Sequence, residues 1–183
     1  ARHARNPRKI LLKLFDLFLK LGGHFEKQNV ETVSFSFDNK PVIKTNINSY
    51  TFDKTVIACG AFSKKLTDQV NEKIPLDTER GYHVHFKGHD HLLSRPVIFL
   101  NRGFGITPME QGLRVVGTVE FGGLNNTPNK KRILNLVNNA KYLFPELSKH
   151  YDEWLGFRPT LPDFLPVMGS SKNHKNLFYS FGH

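Results

Sequence analysis

Apolar residues recur at Ile10, Leu11, Leu14, Phe15, Phe18 and Leu21, the spacing of one face of an α-helix. Asn6 is placed to cap that helix, and Pro7 occupies its first position, where a missing N–H costs nothing. Gly22-Gly23 stops it in the manner of a left-handed cap. The pattern predicts a helix packed on a sheet. Lysines at 9, 13 and 20 leave open the alternative of a helix lying on a membrane surface. From Val30 to Phe37 the pattern shortens to period two and ends at the turn cluster Asp38-Asn39-Lys40. Val42–Ile47 and Tyr50–Cys59 follow, which together predict an antiparallel meander. The continuous apolar run Val56-Ile57-Ala58-Cys59 predicts a strand buried on both faces, passing through Gly60 into a helix over Ala61–Val70. A strand that runs through glycine into a helix is a frequent ligand position.

The second half reads as strand-rich. Gly81–Lys87 alternates, Pro96–Thr107 is long and partly apolar, and Gly112–Phe121 pairs with it through Met109-Glu110-Gln111-Gly112. Lys130–Phe144 has helical spacing and ends at Pro145, so it is expected to pack against these strands. Trp154–Met168 is extended and punctuated by proline. Leu177–Phe181 forms a last strand.

Composition narrows the class. The 183 residues suggest one domain or two small ones, and 39% hydrophobic content with 16 phenylalanines is too much for a disordered chain. A single cysteine, Cys59, excludes an internal disulfide framework and a cysteine-rich zinc site, and favours reducing, cytoplasmic surroundings. The net charge of +10 favours anionic partners: nucleic acid, acidic lipid or phosphate-bearing cofactors. The stretch Ile10–Leu21 is interrupted by Lys13, Asp16 and Lys20 and falls short of the ~20 apolar residues of a membrane span, so a soluble protein without a signal peptide is expected.

Most candidate chemistry fails on context. A dinucleotide site needs GxGxxG between a strand and a helix. That motif is absent, and Gly103-Phe104-Gly105 has Pro108 and strand-like flanks where a helix should follow. His83, His85, His89 and His91 with Asp90 could hold zinc or nickel, but no cysteine or glutamate joins them and the stretch from Lys87 to Asp90 reads as a turn tip. No metal site is expected. A GxSxG elbow is missing, the one cysteine sits in an apolar run, and the scattered basic residues form no recognisable nucleic-acid motif. From the residues alone, the chain is a basic α+β protein with a ligand position at Gly60.

Five segments in order carry a resemblance to a known family. Lys54-Thr55-Val56-Ile57-Ala58-Cys59-Gly60-Ala61-Phe62-Ser63 resembles the xVIAxGAxS strand and turn of the FAD-dependent D-amino-acid oxidase superfamily. Glu79-Arg80-Gly81-Tyr82-His83-Val84 is similar to its RGYxV strand, and Gly112–Phe121 to its GLRVVGTxE hairpin. The run Trp154–Gly169 resembles WxGxRPxxPDxxPxxG, and Tyr179-Ser180-Phe181-Gly182-His183 the start of GHxxxG. The nearest branch is the D-amino-acid dehydrogenase small-subunit type. The family's opening strand–GxGxxG–helix has no counterpart here. The resemblance therefore implies an internal part of a longer protein, one not expected to hold FAD tightly by itself.

The resemblance implies an α+β fold: the remnant of an FAD-binding α/β domain over 1–78, a mixed, largely antiparallel sheet substrate domain over 79–165, and a return to the FAD-binding domain over 166–183. It implies that Val30 contacts adenine through its backbone, that Ala58 and Gly60 line the cofactor near its pyrophosphate, and that Gly182 and His183 approach the flavin ring. Val30 could equally be an ordinary sheet residue, and Ala58 with Gly60 a tight turn without a ligand. Arg158 is the expected partner of the substrate carboxylate, because its planar fork donates two parallel hydrogen bonds; the alternative is a structural pair with Asp163. Tyr82 and His83 border the substrate cavity or pack in the sheet. Phe104 and Gly105 stand where some amine oxidases carry a substrate-binding tyrosine. No catalytic base is assigned, and none is needed if the substrate amine binds neutral.

The parent protein is expected to oxidise the CH–NH2 group of an amino acid, of D configuration, by hydride transfer to FAD. Its partners are then a small amino-acid substrate and an electron acceptor of unknown kind, with no nucleic acid, in the cytoplasm or at the inner face of the membrane. Two alternatives stay open. One is another amine substrate in the same superfamily, such as glycine, sarcosine or a modified tRNA base. The other is a non-catalytic binding module.

Overall fold

The computed structural model describes residues 3–183. In chain order these form α1 (Pro7–Lys20), β1 (Val30–Phe35), β2 (Pro41–Thr45), β3 (Ser49–Thr51), β4 (Thr55–Ile57), α2 (Ser63–Gln69), β5 (Asp77–Lys87), β6 (Val97–Phe99), β7 (Phe104–Met109), β8 (Gly112–Phe121), α3 (Lys130–Leu143), β9 (Asp152–Thr160), β10 (Val167–Ser170) and β11 (Leu177–Phe181). The mixed α+β class is the expected one. Two compact units result. The first takes the chain up to Phe25, Arg80–Phe121 and Asn125–Gly156; the second takes Glu26–Glu79, Gly122–Leu124 and Phe157–His183. This departs from the expected division, because α1 groups with the five-stranded sheet and Phe157–Leu165 with the second unit.

The first unit is a five-stranded sheet in the order β6-β7-β8-β5-β9. Period-two alternation sends Tyr82, Val84 and Phe86 of β5 to one face, where they meet Leu113 and Val115 of β8 and Ile106 of β7. The helix α3 covers that face with Ile133, Leu136, Val137 and Ala140, all buried. Its N-terminus is capped by the Asn129 side chain, which accepts from Lys131 N–H at 3.1 Å. The expected long strand over Pro96–Thr107 is in fact two. A 3-10 turn at Leu100–Arg102 and Gly103 in the left-handed region (φ 64°) fold it back, so that β6 pairs antiparallel with β7. The next hairpin is as expected, with Met109 opposite Gly112 and a two-residue loop between β7 and β8. Gly112 is obligatory there: its φ is 147°, and a Cβ would come within 2.2 Å of the Phe86 carbonyl oxygen.

The first helix starts and stops where expected. Asn6 Oδ1 accepts from Lys9 N–H at 2.9 Å, and Gly22 follows the helix with φ 88°. Its packing is not as expected. No residue of α1 is buried, and Leu11, Leu14 and Leu21 are more than half exposed. No element among the described residues covers the apolar face. Only its N-terminal end is tied to the unit, by Arg5 to Asp90 at 2.9 Å and by Asn6 and Lys9 to Glu110 at 2.9 and 3.1 Å. Among the described residues no helix is long and apolar enough to cross a membrane.

The second unit holds two three-stranded sheets, β1-β2-β3 and β10-β11-β4. The first is the antiparallel meander read from the sequence. Its last expected strand, Tyr50–Cys59, divides: β3 stays in the meander, whereas β4 leaves it to pair in parallel with β11, more than a hundred residues away. The helix α2 fixes the meander, because the Gln69 side chain accepts from Val33 N–H and donates to the Glu31 carbonyl. A core of Val33, Ile57, Leu66, Val70, Leu161, Leu177 and Phe181 fills the unit. The expectation that Val56–Cys59 is buried on both faces is not met. Ile57 turns into the core of the unit, but Val56, Ala58 and Cys59 are exposed, so this run is covered on one face and not on both.

Candidate active site

In the second unit, β4 and β11 run parallel with Thr55 opposite Leu177 and Ile57 opposite Tyr179. Their carboxyl ends therefore emerge side by side, which is where open α/β sheets bind ligands. One end delivers Ala58 and Gly60, the other Gly182 and His183. Ala58 is exposed. Gly60 opens a 3-10 turn with φ 55°, and the place a Cβ would take has no atom within 4 Å. Backbone at Gly60 can thus be approached closely, as a phosphate-bearing ligand requires. Gly182 is different. Its φ is 86°, but a Cβ there would lie 2.5 Å from Leu161 Cδ1, so this glycine makes room for the core. His183 is exposed and stands 3.3 Å from Ser180 Oγ through Nε2. Val30 begins β1, opposite Thr45, in the other sheet; it is half-buried and packs against the core of the unit.

Arg158, near the end of β9, hydrogen-bonds through Nη1 to Glu79 Oε2 at 3.0 Å. The arginine side chain is 60% exposed and the glutamate 11%, so Glu79 acts as a fixed anchor while most of the guanidinium faces solvent. The pairing with Asp163 is not formed; that carboxylate instead accepts from Leu165 N–H at 3.0 Å.

The two neighbours Tyr82 and His83 part company in the first unit, as strand alternation demands. Tyr82 is buried under α3, its hydroxyl donating to Glu120 and accepting from Asn129 N–H at 3.0 Å. It packs among the core residues under α3. Arg80, 1% exposed, joins the same network through Glu120 at 3.5 Å and the Thr127 carbonyl at 3.1 Å. His83 lies on the opposite face, stacked on Trp154 with ring centroids 4.7 Å apart. Burial, then the nearby Arg114 and His85, lower its pKa to about 4, so it is neutral at physiological pH. Arg114 itself is a residue that the motif reading passed over. The signal was present, since Arg114 alternates with Leu113 and Val115 and so must face away from the core.

With this geometry in place, comparison with known proteins gives the family. The family described as FAD dependent oxidoreductase matches residues 1–183, and the chain belongs to it. It is 30% identical over 188 residues to a D-amino-acid oxidase of Bradyrhizobium diazoefficiens, covering 100% of this chain and 45% of that protein. It is 29% identical over 170 residues to a D-amino acid dehydrogenase of Vibrio atlanticus, covering 85% of this chain and 38% of that one. Among solved structures it shares its fold with an iminodiacetate oxidase from Chelativorans sp. BNC1, at a TM-score of 0.80 and 17% identity over 96% of this chain and 48% of the other. The chain thus spans less than half the length of these relatives. The family's cofactor fits the carboxyl ends of β4 and β11, where Gly60 leaves open space and Ala58 is exposed, so main chain can approach a phosphate-linked ring system.

Proposed function

We propose that the protein belongs to an enzyme that oxidises the CH–NH2 group of an amino acid, of D configuration, to the imino acid. The observation that carries this reading is Arg158: an exposed guanidinium on a strand, held through one nitrogen by a largely buried glutamate, in a chain of the FAD-dependent oxidoreductase family. Glu79 sets the orientation of the fork and leaves its other donors to a carboxylate. The names of the D-amino-acid oxidase and dehydrogenase relatives support the substrate class.

FAD, when bound, supplies the acceptor for two electrons. The chain's own residues then do three things. Gly60 and Ala58 offer main chain near the cofactor's phosphates, Val30 near its adenine, and Gly182 with His183 near its ring. Arg158 holds the substrate carboxylate and thereby fixes which face of Cα is presented. Its permanent charge favours the neutral amine over the ammonium, and the nitrogen lone pair of a neutral amine forms the C=N bond as hydride leaves Cα. No side chain is assigned as a base. Water then hydrolyses the imino acid to a keto acid and ammonia.

The test is steady-state kinetics of the whole enzyme with Arg158→Ala and Arg158→Lys. Alanine is expected to cost about 2–4 kcal/mol in kcat/KM for amino acids, with FAD content unchanged; lysine keeps the charge and recovers part of the loss. Release of FAD by Arg158→Ala, or a kcat/KM within about twofold of the parent, sinks the assignment. A preference for L-amino acids or glycine sinks the D-specific part alone.

A further inference from the structure

The open face of the first unit's sheet carries a charge without a counter-charge. Arg114 is half-buried, and its Nε is buried with no hydrogen-bond partner. No ion pair or hydrogen bond reaches its side chain among the described residues. Five carboxylates of the same unit are committed elsewhere: Asp90 to Arg5, Glu110 to Lys9, Glu120 to Arg80 and Tyr82, Asp152 to Lys87 and Glu153 to Lys130. An arginine cannot shed its charge to ease such a position, and a half-desolvated cation without an anion is costly. Its neighbours on β5 are imidazoles, and the nearest carboxylate to act on them, Asp152 at His85, is already paired with Lys87. His83 and His85 on β5 both feel its field, and Trp154 walls the far side of His83.

We propose that Arg114 is the receptor for an external carboxylate, bound on the open face of β5 and β8 beside the His83–Trp154 stack. The chemical class follows from the charge. One guanidinium flanked by neutral imidazoles balances a single negative charge, and its planar fork fits a carboxylate. A phosphate dianion would keep one charge uncompensated. The aromatic stack beside the fork lowers the local dielectric and strengthens the pair. The proposal rests on Arg114 and its neighbours in the first unit and stands whether or not the oxidation reading does.

The test uses the full chain, 15N-labelled, at neutral pH, where His83 is uncharged. Trp154 is the chain's one tryptophan, so its indole N–H gives a single reporter signal next to the site, and the Arg114 Nε–H gives a second. Titration with sodium propionate is expected to shift both signals to saturation, while sodium chloride at the same ionic strength does not. In Arg114→Leu the Trp154 response disappears; in Arg114→Lys it survives with weaker saturation, because the charge remains and the fork is lost. A missing response in the parent chain overturns the proposal, as does an equal Trp154 response in Arg114→Leu. Tighter saturation by inorganic phosphate overturns the carboxylate assignment.

Discussion

The two faces of the five-stranded sheet handle charge in opposite ways. Under α3, Arg80 is almost wholly buried yet lies beside Glu120 and bonds to the Thr127 carbonyl, and Tyr82 both donates and accepts. On the open face, one strand over, Arg114 has no partner and His83 is kept neutral. Burial explains the contrast. A charge beneath a helix is matched from within the chain: Arg80 has Glu120 beside it, although its Nε, like that of Arg114, makes no hydrogen bond. A half-open face tolerates an unmatched cation, and there the match can come from a ligand. The same residue type is therefore architecture on one side and recognition on the other.

The comparison can be broken at four points, in falling order of effect. Phe86→Ala empties the covered face and should destabilise the chain by about 3–5 kcal/mol, read by urea unfolding. A loss below about 1 kcal/mol would mean that α3 does not close this core. Tyr82→Phe leaves the Asn129 N–H without its acceptor and takes one donor from Glu120, which keeps Arg80 beside it, and should cost about 1–3 kcal/mol, again by urea, with no change in fold by circular dichroism.

The third point is pH. His83 titrates at about 4 in the folded chain and near 6.5 when unfolded, so between those values the unfolded chain binds the extra proton. Its contribution is intact above pH 6.5 and is lost as pH falls toward 4. Discounted for solvent screening at a half-exposed site, the loss should be about 1–2 kcal/mol. His83→Leu should flatten stability in that window, and an unchanged slope would show that other groups set it. The smallest effect belongs to Arg114→Leu, which removes the unmatched cation and is expected to leave stability unchanged or raised by up to about 1 kcal/mol. A large loss there would make Arg114 a structural residue like Arg80.

Local signals were the legible part of this fold. Asn6, Pro7 and Gly22 set the bounds of α1, and the two-residue loop between Met109 and Gly112 set the β7–β8 hairpin, because caps and turns depend on neighbours in sequence. The route of β4 was not legible from pattern. Its partner β11 lies beyond Leu177, and nothing local to Thr55–Ile57 distinguishes a fourth meander strand from a strand in another sheet. The apolar run Val56–Cys59 misled for a related reason: hydrophobicity states what a segment would bury, not what covers it. At the candidate site, alternation placed Tyr82 and His83 on opposite faces, but only the position of α3 decides which face is closed. Glu79, the anchor of Arg158, is 79 residues away from it in sequence and carries no pattern of its own.

The attachment of α1 has a consequence for how the chain breathes. A helix with no buried residue, tied at one end by exposed ion pairs, gains little protection from the core behind it. Its amide protons should exchange with deuterated solvent through local fraying, far faster than those of β8. Added salt weakens the Arg5–Asp90 and Lys9–Glu110 ties, so the exchange should quicken with ionic strength while the sheet amides keep their pace.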